Sequence, residues 1–316
     1  MASTKNSPKE VVPKAKKPKE TVEEPTGKYI NPLTDFGFKH IFGTKEYLMD
    51  FLTAVLKIKG GIVDLQYDNT ERPGRSEDDR TTIFDLYCTL GNGERVLIEM
   101  QHHPQGYFKK RILYYASRLI QEQGEGNKGD EWGFALSRVY SVNIVNFPLD
   151  PKKRKTTERY VSYVQLMDKH THRIFSDRLT IVFLELPHFN KEEHELSNSI
   201  EEWMFVLKNL AHLNDLPDAL RTRIFESLFH KAEIAKLSKE KRRKYNQSFK
   251  NLLDMNALIA EKDRTIANLQ KEVAEYRRKY GSLNNTATKR NAPSRPASAT
   301  KARARNSAKA RVTANS

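Results

Sequence analysis

The chain has 316 residues, a formal net charge of +15, 30% charged and 38% hydrophobic residues, and one cysteine. A single cysteine excludes an internal disulfide framework, and no apolar run approaches the roughly 20 residues needed to span a bilayer. MASTKNSPKEVVPKAKKPKE, at the N-terminus, also lacks the apolar core of a secretory signal, so we expect a cytoplasmic chain without a membrane partner, nucleoid-associated if bacterial.

Residues 1–27 carry six Lys against four Glu, and residues 282–316 carry eight Lys or Arg and no acid. Such segments hold too few apolar groups to offset chain entropy. Both are expected as disordered basic tails, either drawing in polyanions or only aiding solubility. Order is expected from Asn31-Pro32-Leu33-Thr34-Asp35, a turn and helix cap. Phe38, Ile41, Phe42, Leu48, Phe51, Leu52, Val55 and Leu56 then recur at helical spacing, with Gly43 as a break. GIVDLQYDN reads as a short strand before the polar loop ERPGRSEDDR. TTIFDLYCTL and RVLIEMQ read as strands joined by Gly91-Asn92-Gly93, which suits a hairpin with a left-handed residue. If Leu90 pairs with Glu94, Asp85 lies opposite Glu99.

The run QGYFKKRILYYASRLIQEQ is amphipathic and helical. Strands RVYSVNIVNF, RYVSYVQLMDK and RLTIVFLELP follow before the sequence turns helical near Glu192. Leu252, Ile259, Ile266, Val273 and Tyr280 stand seven residues apart, with Met255, Leu269 and Tyr276 three positions after three of them and Lys262 interrupting that second series. The organisation expected is a mixed α/β domain over 28–190, a helical extension packed on it over 191–247, and a coiled coil or long helix over 248–281, ending at Gly281 as a C-cap. Residues 250–280 are the expected site of any homo-oligomer.

Asp85 is the one charge in TTIFDLYCTL and Glu99 the one charge in VLIEM. A carboxylate in such an apolar run is paired with a cation, bound to a metal or hydrogen-bonded, because burying it uncompensated is costly. Two acids on adjoining strands suit a hard divalent cation; a structural ion pair with Arg80, Arg95 or Arg111 is the other reading. Alternation puts Glu99 and Gln101 on one face, with Leu97, on that same face, expected at its edge. No Gly-rich loop followed by Lys-Ser or Lys-Thr is present, so no nucleotide cofactor is expected. His102-His103, His170-x-His172, His188 and His194 lack zinc spacing. His103 either acts beside the strand it follows or faces solvent in a loop, and Cys88 reads as a small buried hydrophobe.

The ordered segments NPLTDFGFKHIFG, IFDLYCTLGNGERVLIEMQ, FKKRILYYASRLIQEQ and LTIVFLELPHFN, followed by a helical region through LSKEKRRKYNQSFKNLLD, cover residues 29 to 256. This series resembles the PD-(D/E)XK nuclease family transposases, the recombination-promoting nuclease group of bacteria. The resemblance implies a restriction-endonuclease-like core, a mixed sheet flanked by helices. It also implies metal-dependent hydrolysis of DNA associated with recombination or mobile elements, with Mg2+ or Mn2+ held by Asp85 and Glu99. Gln101 stands where many relatives of the wider class carry Lys, and can hydrogen-bond the attacking water or a phosphate oxygen. The literal Pro-Asp pair is missing, since Phe84 precedes Asp85. In the block TDFGFKHIFG, Asp35 either extends the metal site or caps the helix, while Lys39, one turn on, meets phosphate. Arg111 and Tyr115 fall at the family's Arg-x3-Tyr, either holding the scissile phosphate or orienting Glu99; Tyr115 has plain core as its alternative. The competing reading of the whole chain is a catalytically silent nuclease fold that binds DNA through its tails and assembles through its coiled coil.

Overall fold

A computed structural model describes residues 27–72, 82–125, 133–150 and 159–281. The two basic ends, Arg80 and most of the polar loop around it lie outside these residues. The chain divides into two compact units between Asn256 and Ala257.

The first unit opens with helix α1 (Asp35–Phe42) and helix α2 (Lys45–Leu56). Thr34 caps α1, its Oγ1 accepting the Gly37 N–H at 3.0 Å, and Gly43 ends the helix as its C-cap. Gly37 is required by packing: a Cβ there would stand 2.0 Å from the Asn31 carbonyl oxygen. The same turn is tied to residues far along the chain, because the Tyr245 hydroxyl accepts the Asn31 N–H at 2.9 Å and Ser248 Oγ accepts the Phe36 N–H at 3.1 Å.

Strands β1 (Leu65–Tyr67), β2 (Glu71–Arg72), β3 (Thr82–Ile83), β4 (Leu86–Leu90), β5 (Arg95–Gln101), β6 (Val139–Val145), β7 (Val161–Met167) and β8 (Ile174–Glu185) follow, with helix α3 (Phe108–Gln121) between β5 and β6. Six of them form one mixed sheet in the order β1-β4-β5-β6-β8-β7; β2 and β3 pair separately. The outer pairs β1–β4, β4–β5 and β7–β8 are antiparallel, and β5–β6 and β6–β8 are parallel. Parallel neighbours need a crossover, and α3 supplies the one between β5 and β6. Helix α4 (Ser199–Asn209), helix α5 (Arg223–Ala232) and the start of helix α6 (Lys239–Tyr280) follow in the unit, with short 3-10 turns between them.

Alternation sorts the strand side chains into two cores, one on each face of the sheet. On one face Cys88, Val96, Ile98, Val142, Ile144, Val182 and Leu184 pack with Phe42, Phe51, Trp203 and Phe229 from α1, α2, α4 and α5. On the other, Tyr87, Leu97, Val139, Ile181 and Phe183 pack under Phe108, Ile112 and Leu119 of α3. A sheet covered on both faces explains why β5 is buried without interruption from Val96 to Glu99. Among the described residues no helix is long and apolar enough to cross a membrane.

Two differences from the sequence reading concern the residues around Asp85. Leu97 lies fully buried under α3 rather than at the edge of its face, because the helix after β5 folds back over that strand. The run TTIFDLYCTL is also two strands, not one: it breaks at Phe84-Asp85, where Phe84 turns into the core at 2% exposure. Replacing Gly37 by Ala is expected to drive a Cβ into the Asn31 carbonyl and destabilise the unit by about 3 kcal/mol, read as a lower urea midpoint; an unchanged midpoint would show that the turn yields freely.

Candidate active site

The hairpin turn sets the geometry. Gly93 holds φ at +81°, Leu90 donates its N–H to the Glu94 carbonyl at 2.8 Å, and the ladder runs back to Leu86 opposite Ile98. One step further, Asp85 therefore faces Glu99. The strand break frees Asp85 from the ladder, and its carboxylate takes the place of a backbone acceptor: Oδ2 accepts the Met100 N–H at 2.8 Å. In return the Asp85 N–H points at Glu99 Oε1 at 3.4 Å. Each acid is held by the other's strand, on the face covered by α3.

From α3 comes Arg111, whose guanidinium donates to Gln101 Oε1 and to Gln105 Oε1, both at 2.7 Å. It stands 3.7 Å from Glu99 Oε2. An arginine can only donate, so the Gln101 amide must turn its oxygen to Arg111; its nitrogen then donates to the His103 carbonyl at 3.1 Å. The ring of half-buried Tyr115 lies 5.7 Å below the guanidinium and meets Phe84 edge-on at 5.4 Å. Tyr115 thus joins the core to the arginine.

Glu99 is 4% exposed, and its carboxyl is pushed up to about 8, first by burial and then by the facing Asp85, against a weaker pull from Arg111. Asp85 is also raised, chiefly by burial, against the Met100 N–H and Lys39. Glu201 provides the internal contrast. It is as little exposed, at 3%, though it lies nearer the protein surface, and burial raises it too, yet Lys191, the Tyr160 hydroxyl and the N–H and hydroxyl of Ser197 hold it down at about 2. One acid is compensated in full; the Asp85–Glu99 pair is short of positive charge.

That shortfall fits a divalent cation, since one guanidinium shared among two glutamines and Glu99 cannot balance two carboxylates. Among the described residues no three His, Cys, Asp or Glu side chains converge as a cage. Two carboxylates completed by water or carbonyl oxygens suit Mg2+ or Mn2+ rather than zinc. Asp35 does not cap α1, because the cap is Thr34; its carboxylate instead pairs with Lys39 at 2.7 Å. Both are close enough to act on the Asp85 charge, in opposite senses.

Histidines 102 and 103 lie at the end of β5 with ring centroids 4.5 Å apart. His103 is half-buried rather than solvent-facing, with its Nε2 enclosed. Burial first, then His103, pushes His102 down to about 4, so it is neutral beside Asn146 at 3.2 Å. Gln105, which holds the second arm of Arg111, opens the run read as helical but was given no role there; the helix itself begins at Phe108. Cys88 lies on the opposite face, fully buried, and its thiol is pushed up to about 12 by burial, as suits a hydrophobe rather than a nucleophile.

The family model for the PD-(D/E)XK nuclease family transposases matches residues 32–262. No curated protein and no solved structure matches the chain.

A protonated Glu99 has a direct consequence for stability. Between the ordinary glutamate value of 4.5 and about 8 the folded chain holds a proton that the unfolded chain has lost, so stability falls as pH rises through this window. Glu99→Gln keeps the side-chain oxygen and removes the titration. In the presence of a chelator it is expected to melt on the order of 5 °C above the unsubstituted protein at pH 8 and to converge with it near pH 5. Equal melting temperatures at both pH values would show that Glu99 is ionised without strain.

Proposed function

The chain belongs to the PD-(D/E)XK nuclease family transposases, and on that premise we propose that it is a divalent-metal-dependent DNA endonuclease with Asp85, Glu99 and Gln101 at its centre. The observation that carries this reading is the pair of facing buried carboxylates, whose one cationic side-chain contact among the described residues is Arg111 at 3.7 Å from Glu99, where the single carboxylate of Glu201 has Lys191, the Tyr160 hydroxyl and Ser197. A fold does not retain two facing buried acids for stability, because replacing them by apolar groups would be neutral or favourable.

Asp85 and Glu99 would hold Mg2+ or Mn2+, which when bound lowers the pKa of a water and neutralises charge growing on the phosphate. Met100 N–H keeps Asp85 aimed at Glu99. Arg111 lies 3.7 Å from Glu99; with two of its arms tied by Gln101 and Gln105, it is preorganised to steady a phosphate oxygen. Gln101 orients Arg111 through its oxygen and retains one N–H for the attacking water or a phosphate oxygen. Tyr115 supports the guanidinium from below. Lys39, half-exposed on α1, and the exposed Lys109 and Lys110 in the first turn of α3 offer positive charge to the backbone of DNA. Hydrolysis is what these residues support; strand transfer would need, in addition, a DNA 3′-hydroxyl held in place of the attacking water.

Incubation with supercoiled plasmid and Mg2+ or Mn2+ is expected to give nicked circles, abolished by chelation. Asp85→Ala and Glu99→Ala should each lower the rate at least about a hundredfold, and Arg111→Ala about tenfold or more. Full activity of Asp85→Ala, or cutting in a chelator, would overturn the reading. DNA binding without cleavage in any metal would move it to a silent scaffold.

A further inference from the structure

Helix α6 runs unbroken from Lys239 to Tyr280 and ends at Gly281, which holds φ at +76°. Along it Leu252, Ile259, Ile266 and Val273 occupy one position of a seven-residue repeat, and Met255, Lys262, Leu269 and Tyr276 the position three further on. None of their apolar side chains is buried, and Ile266, Leu269 and Tyr276 are exposed by 52%, 53% and 66%. A helix with a regular apolar seam facing water calls for an occupant.

The side chains around the seam select one. β-branched residues at three of the five first positions (Ile259, Ile266, Val273, beside Leu252 and Tyr280), with Leu269 at one of the four second positions, favour a parallel two-stranded coiled coil. In a parallel, in-register pair a side chain at the second position packs beside the residue that follows its counterpart, so Lys262 would meet Asp263 of the partner subunit. Glu272, flanking the seam on one side, would meet Arg277 of the partner subunit on the other. Each contact occurs twice by symmetry, and the one polar interruption of the seam is thereby neutralised. Residues 252–280 carry six basic and five acidic side chains, so this segment has no field to draw in nucleic acid or an anionic membrane.

We propose that the chain pairs with a second copy of itself through residues 252–280 as a parallel, in-register coiled coil. Its length, roughly 43 Å at 1.5 Å per residue, amounts to four heptads, enough for a stable pair. The pairing is independent of the catalytic reading, because its residues and its readout are separate from the carboxylate site.

The full chain is expected to sediment at twice its monomer mass at low micromolar concentration. Glu272→Arg should weaken the pair about tenfold by placing like charges together, and the double variant Glu272→Arg/Arg277→Glu should restore it. Tyr276→Cys should form an interchain disulfide under mild oxidation, since only helices pointing the same way bring position 276 of both copies together; the native Cys88 is buried and serves as the background. A monomer at tens of micromolar, a higher oligomer, a double variant no tighter than Glu272→Arg, or a Tyr276→Cys protein that stays uncrosslinked would each overturn the proposal.

Discussion

A carboxylate removed from water must find positive charge or keep its proton, and that constraint organises the carboxylate end of the sheet. Asp85 and Glu99 face each other across β4 and β5 because the turn at Gly93 sets the register. They stay there because each accepts, or stands against, a backbone N–H of the other's strand. Burial by α3 then raises both. Were the pair a structural ion pair, it would look like Glu201 with Lys191, Tyr160 and Ser197, where donors outnumber the charge they satisfy. Instead Arg111 approaches Glu99 only to 3.7 Å and gives its shorter bonds to two neutral amides.

The rest of the first unit holds that arrangement against its own electrostatic strain. The hydrophobic layer under α1, α2, α4 and α5 and the layer under α3 fix β5 from both faces, so the acids cannot escape by tilting the strand. The turn before α1 is locked by Thr34, Gly37 and the Tyr245 hydroxyl, which places Asp35 and Lys39 within electrostatic reach of Asp85. A residue more than two hundred positions along the chain thus helps to position the first turn of the helix that borders the carboxylates.

Much of this was legible before any coordinates. Alternation and helical spacing marked the main strands and helices, and the Gly91-Asn92-Gly93 turn was enough to set Asp85 against Glu99, because pairing in a hairpin propagates from its turn. The family match accords with the resemblance drawn from the ordered segments. What was not legible depends on contacts distant in sequence. The break at Phe84-Asp85 arises because a side-chain carboxylate replaces a ladder acceptor, which no propensity encodes. Leu97 was misplaced because alternation gives the face but not what covers it. Thr34 rather than Asp35 caps α1, since both residue types suit a cap and only the local turn chooses between them. Gln105 precedes its helix by three residues, and its role appears only once Arg111 is seen to need a second acceptor.

The pairing of Gln101 with Arg111 bears on why an amide stands where the wider class carries an ammonium. Gln101 Oε1 lies 2.7 Å from the guanidinium, so a lysine at this position would bring two cations into contact in a half-buried place. The positive charge is already supplied from α3, by the planar guanidinium of Arg111. The amide orients that charge through its oxygen and keeps its nitrogen as a neutral donor. In the proposed site Gln101 and Arg111 act as one unit divided between strand and helix. Under that proposal the Glu-x-Gln form would relocate the cation by ten residues rather than lose it.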